Sequence, residues 1–133
     1  MMKRRMKQFA TLSVMGMMVL WNTLPVSAGV MNPPVKQYGH VLNGKSVKTS
    51  AYSAYASTTC SGSDVHSVTA QLTYSYRMGN LSYPERTKVA TQKTAATASV
   101  NLGNSSYEIY YVSGYHKAVV GYQGYVKPID GYS

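Results

Sequence analysis

Acidic side chains are scarce in this chain, with four Asp and Glu against thirteen Lys and Arg, a formal net charge of +9. It also has one cysteine, one tryptophan and one phenylalanine in 133 residues. The acids Asp64, Glu85, Glu108 and Asp130 are few and scattered, a poor basis for the paired carboxylates of glycoside hydrolysis. A single thiol, Cys60, excludes an internal disulfide framework and a C-x-x-C zinc site. The longest apolar run, Phe9–Trp21, is thirteen residues, whereas a membrane span needs about 20. No G-x-S-x-G nucleophile elbow occurs, and no glycine loop precedes a helix to cradle phosphate. Arginines are not clustered as on a nucleic-acid surface. These absences lead to the expectation of a protein that is not an enzyme, holds no cofactor, binds no nucleic acid and has no transmembrane anchor.

The beginning of the chain is distinctive. Lys3, Arg4, Arg5 and Lys7 precede the apolar run, and Val26-Ser27-Ala28 closes it in small residues after Pro25. A basic region, a short apolar region and an A-x-A-like site describe a secretory signal peptide over 1–28, cleaved after Ala28, so the expected location is extracellular. Removing it takes the only Trp (Trp21) and the only Phe (Phe9) and leaves all 13 Tyr. Nine basic residues then stand against four acidic ones, a net +5, which favours anionic surfaces such as membranes or wall polymers.

What remains reads as strand. In Val65–Tyr76, Val68, Ala70, Leu72, Tyr74 and Tyr76 alternate with Thr69, Gln71, Thr73 and Ser75. Thr94–Leu102 repeats the pattern, with Ala96, Ala98, Val100 and Leu102 on one side. Successive side chains of a strand point to opposite faces, so both segments are half-buried strands. With no Phe or Trp left, Tyr74 and Tyr76 are expected to supply much of the core volume. Gly29–Lys45, with Pro33-Pro34 and Asn43-Gly44, reads as an extended N-terminal arm with an edge strand around Gln37–Leu42, ending in a turn. Ser46–Ser57 reads as strand from its serine and threonine density, a helix of period three being the other reading. Arg77–Lys88 reads as a loop. Ser106–Val112 and Tyr115–Val120 read as a hairpin turning at Ser113-Gly114. Gly-Tyr recurs at Gly114-Tyr115, Gly121-Tyr122, Gly124-Tyr125 and Gly131-Tyr132. Rings lying across glycine backbones would explain the recurrence, and exposed tyrosines for sugars or a bilayer are the alternative. The expected fold is all-β: a small antiparallel sandwich, or barrel, of five to six strands, with 46–133 as one domain.

Candidate contacts for an anionic partner are Arg77, Arg86, Lys88 and Lys93, in and beside a segment whose basic charges outnumber its one acid, Glu85. Asp64-Val65-His66 puts two metal-ligand types at strand spacing but lacks the further ligands that zinc needs, and His40 and His116 lie far off in sequence. Cys60 has three readings: a small buried residue, a loop thiol, or an intermolecular disulfide joining a homodimer.

The leader, the segment SAYSAY (Ser50–Tyr55), HSVTA (His66–Ala70) and the A-x-A-S-V strand (Ala96–Val100) together resemble the lactococcin 972 family of exported Gram-positive bacteriocins. The likeness covers about Ser50–Tyr111. The chain departs from the pattern in Cys60, in its proline-bearing arm, in the absence of Trp beyond Trp21 and in its Gly-Tyr tail. The resemblance implies a β-sandwich and non-enzymatic antibacterial action at the envelope of related bacteria, through a lipid-linked wall precursor. No residue role is carried over. An exported wall-associated module, binding a wall polymer or a surface protein without antibacterial activity, is the alternative.

Overall fold

A computed structural model describes Gly29–Ser133, so the signal-peptide reading of 1–28 lies outside the described residues. Ten strands follow in order: β1 (Gly29–Val30), β2 (Val35–Gln37), β3 (His40–Ser50), β4 (Ser53–Ser61), β5 (Val65–Met78), β6 (Leu81–Ser82), β7 (Arg86–Gln92), β8 (Ala95–Asn101), β9 (Tyr107–Tyr122) and β10 (Tyr125–Tyr132). Every pairing is antiparallel. One sheet runs β10-β9-β5-β7, with the short β6 also beside β5; the other runs β3-β4-β8, with β1 and β2 both along the outer side of β3. The fold is the all-β sandwich expected, with more strands than the five to six read from sequence.

The two clean alternations hold. Val68, Ala70, Leu72, Tyr74 and Tyr76 of β5 are buried, as are Ala96, Ala98 and Val100 of β8. Small side chains on β4 and β8 (Ala54, Ala56, Ala96, Ala98) leave space that larger ones on β5 and β9 fill. Tyr76 is the hub of an aromatic cluster at one end. It stacks on Tyr83 at 4.7 Å and on Tyr74 at 5.9 Å, and meets Tyr107 edge-on at 5.5 Å. Such contacts add to burial because ring edges and faces carry opposite partial charge.

Several boundaries differ from the expectation, each for a visible reason. Strand is found where an edge strand is expected, around Gln37–Leu42, but as a hairpin, Val35–Gln37 pairing with His40–Leu42, and the arm is part of the sheet with Met31, His40 and Leu42 buried. Asn43-Gly44 is not a turn but the middle of β3, paired with Thr58 and Thr59. Ser46–Ser57 is not one strand, because the chain reverses at Ala51-Tyr52, where Tyr52 N–H donates to Ser50 Oγ at 3.2 Å. Arg77–Lys88 is not all loop, since β5 runs on through Arg77 to Met78 and Arg86–Lys88 opens β7. Nor is Ser113-Gly114 a turn; both pair with β5 inside the 16-residue β9. A bulge between Ile109 and Tyr111 switches parity there, so Ile109 and Val112 both face inward while Tyr110 and Tyr111 both face out.

The glycines of the Gly-Tyr tail do not receive tyrosine rings. A side chain at Gly121 would strike Asp64, at Gly131 it would strike Met31, and at Gly114 it would strike Ser133 and His116. Their tyrosines go outward instead: Tyr122, Tyr125 and Tyr132 are exposed.

Candidate functional site

Three polar features compete for a functional role. The first is internal. His116, on the inward parity of β9, has no exposed surface. Its Nδ1 lies 2.6 Å from Thr58 Oγ1 and its Nε2 lies 2.7 Å from Ser133 Oγ, which in turn donates to Ser46 Oγ at 3.1 Å. One proton arrangement satisfies the chain: Thr58 O–H donates to Nδ1, Nε2–H donates to Ser133, and Ser133 O–H donates to Ser46. A histidine between two hydroxyls superficially resembles a hydrolytic dyad. Here, however, the ring donates to the serine and does not take its proton, and the third member is a hydroxyl where a triad has a carboxylate. Burial also pushes the His116 pKa down from 6.5 to about 4, which weakens it as a base near neutrality. The network is a lock between the sheets, tying β9 and Ser133 to β3 and β4.

That lock has a consequence for acid stability. The unfolded chain takes up a proton on His116 near 6.5 and the folded chain only near 4, so the unfolded state binds more protons between those values. The contribution is therefore full above about 6.5, falls as the pH drops, and is gone below about 4. It amounts to on the order of 3 kcal/mol. NMR titration of the folded protein is expected to place the His116 ring near 4; titration near 6.5 would contradict the buried lock.

The second feature is the basic edge anticipated from sequence. Arg86 and Lys88 of β7 stand opposite Tyr74 and Leu72 in the β5–β7 register. Residues directly opposite share a face, so both point to the core side of an edge strand, yet both are exposed. Lys93 follows in the β7–β8 connection. Among the described residues none of these three has a carboxylate within 4.0 Å, so one rim of the sandwich carries three free cations. Inward-pointing charges also guard an edge strand against pairing with another chain. Arg77 is separate from the row. Its Nε meets Glu108 Oε1 at 2.9 Å and its guanidinium lies 5.4 Å from the Tyr110 ring.

The third feature was missed as a cluster, although the Gly-Tyr recurrence pointed to its residues. At the opposite end from the Tyr76 cluster, Tyr38, Tyr122 and Tyr125 gather around Lys127. Tyr38 and Tyr122 have ring centroids 5.2 Å apart, and Lys127 Nζ is 5.9 Å from the Tyr38 ring and 5.6 Å from the Tyr125 ring.

The remaining sequence candidates are accounted for locally. Asp64 and His66 form a pair at 3.0 Å, and among the described residues no group of three potential metal ligands assembles. Cys60 is free and half-buried on the inward parity of β4, packed against the core; burial raises its thiol pKa, which lowers its reactivity. Compared with family models, with curated proteins and with solved structures, the chain matches none.

Proposed function

We propose that the chain is a secreted, bacteriocin-like antibacterial protein that acts without catalysis at the envelope of related Gram-positive bacteria. The observation that carries this reading is the β7 rim, where Arg86, Lys88 and Lys93 stand exposed and unpaired by carboxylate among the described residues. A row of free cations on a rigid edge suits an anionic, lipid-linked wall precursor, whose phosphates attract them at a membrane surface. The likeness of SAYSAY, HSVTA and A-x-A-S-V to the lactococcin 972 family favours the same mode of action. Purified Gly29–Ser133, which contains both sheets and the whole described core, is expected to inhibit growth of Gram-positive strains and to bind vesicles carrying the precursor. Absence of both effects would sink the proposal.

A second reading rests on another surface. The outer side of the first sheet presents Thr69, Gln71, Thr73, Thr87 and Thr91, with Thr69 and Thr91 hydroxyls 3.0 Å apart. This hydroxyl-rich face, which also carries Val89, Lys117 and Asp130, suits a wall polymer, as an exported wall-associated module would require. Binding to purified wall without growth inhibition would favour it.

A further inference from the structure

The aromatic end of the sandwich is built from two tight hairpins placed side by side. Tyr38-Gly39 joins β2 to β3, with φ of 54° and 73°; Gln123-Gly124 joins β9 to β10, with φ of 52° and 82°. Two successive residues at positive φ are the signature of the two-residue type I′ turn, whose twist matches the strands it joins. Glycine fits that backbone readily. A bulky aromatic rarely does, so Tyr38 is an outlier of the kind that concentrates at functional surfaces.

The position of Tyr38 is also fixed from below. Nδ1 of the buried His40 meets the Tyr38 carbonyl at 2.6 Å and its Nε2 meets the Ser63 carbonyl, so the imidazole links this turn to the β4–β5 connection. Gly62 leaves room for that ring; a Cβ there would come within 2.6 Å of it. The second hairpin is tied to the same connection by Gly121 N–H donating to the Asp64 carbonyl at 2.8 Å. The end is thus pre-organised, yet it leaves Tyr122 38%, Tyr125 69% and Val126 60% exposed.

We infer that this end, Tyr38, Tyr122, Tyr125, Val126 and Lys127, docks into the interfacial layer of an anionic phospholipid bilayer; the inference rests on the envelope reading proposed above. Tyrosine suits that layer because its ring is apolar and its hydroxyl is wet, and lysine suits it because its stem is apolar and its ammonium can reach lipid phosphate. The net charge of +5 over Gly29–Ser133 complements such a membrane. Asp64 opposes it locally, but its carboxylate is held by His66 at 3.0 Å. A sugar is the less fitting occupant. Lys127 already stands over the Tyr38 and Tyr125 rings, and exposed Val126 offers nothing to a hydroxyl-rich ligand.

The test uses Gly29–Ser133, which has no tryptophan of its own. In the variant Tyr125→Trp, vesicles of phosphatidylcholine and phosphatidylglycerol are expected to shift indole emission to the blue, and lipids brominated high on the acyl chain are expected to quench it. The variant Tyr122→Ser/Tyr125→Ser/Val126→Ser is expected to bind these vesicles at least about tenfold more weakly, with unchanged melting. Unchanged binding by the serine variant overturns the inference, as does co-sedimentation with no blue shift. A blue shift with wall polysaccharide and none with vesicles overturns it in favour of a glycan. Growth inhibition with no blue shift on the bacterial membrane defeats this inference and leaves the antibacterial reading standing. A blue shift without growth inhibition does the reverse.

Discussion

Replacing Gly44 by alanine is expected to cost the protein a large share of its stability. The new Cβ would stand 2.2 Å from His116 Cγ, 2.3 Å from Nδ1 and 2.4 Å from Cδ2, all far inside van der Waals contact. The ring cannot swing aside cheaply, because it is fully buried and held at both nitrogens by Thr58 and Ser133. Over-packing costs about 1–3 kcal/mol and sometimes more. Breaking a buried hydrogen-bond chain adds about 1–3 kcal/mol for each group left unsatisfied. A loss of about 4 kcal/mol is therefore expected, against a total of about 5–15 kcal/mol for an ordinary domain. Urea unfolding measures it. In the double variant Gly44→Ala/His116→Ala the clash has no partner, so the two losses should fall well short of additive. Additive losses would show that Gly44 and His116 do not meet.

Tyr74→Ala is the second large effect. Tyr74 is 4% exposed, stacks on Tyr76 and pairs across the ladder with Val112 and Arg86. Large-to-small changes at such positions cost about 3–5 kcal/mol through lost burial and the cavity left behind. The comparison that gives this number meaning is Tyr132→Ala. Tyr132 is 74% exposed, and its removal should change stability by no more than about 0.5 kcal/mol. If Tyr74→Ala melted like Tyr132→Ala, β5 would be a surface and not the centre of the core.

Those two residues also mark how far the sequence could be read. Tyr74 was legible because β5 alternates cleanly, and β8 was legible for the same reason. β3 was not. It turns His40, Ser46 and Lys48 inward and leaves Val41 and Val47 only half-buried, the reverse of the usual polarity. At Ser46 the inversion follows from cross-sheet partners that no local pattern records, and at His40 from the carbonyls of Tyr38 and Ser63; nothing in the structure explains the inward Lys48. Thr58 and His116 are 58 residues apart, and Ser133 and Ser46 are 87 apart. Gly44 therefore looked like a turn residue when it is the gap that admits an imidazole. In the same way, the bulge at Tyr110 shifts the parity of β9, which no count of alternating residues can anticipate.

The candidate site was legible in part. Arg86, Lys88 and Lys93 were picked out by charge, and the β5–β7 register brings them to one rim, while Arg77 goes to Glu108. The Gly-Tyr repeat was visible, but its physical meaning was not. Its glycines make room for Asp64, Met31, Ser133 and His116, while Tyr122, Tyr125 and Tyr132 face solvent. Tyr38 joins Tyr122 only because two hairpins far apart in the chain lie side by side.

The proposed function places the activity of the sandwich in its basic rim, unpaired by carboxylate among the described residues. The most direct measurement compares Gly29–Ser133 with the variant Arg86→Gln/Lys88→Gln/Lys93→Gln, reading thermal melting, binding to precursor-bearing vesicles, and growth inhibition on the same preparations. Unchanged melting, binding weakened at least about tenfold, and loss of inhibition are expected. Full binding and full inhibition by the neutralised variant would contradict that placement.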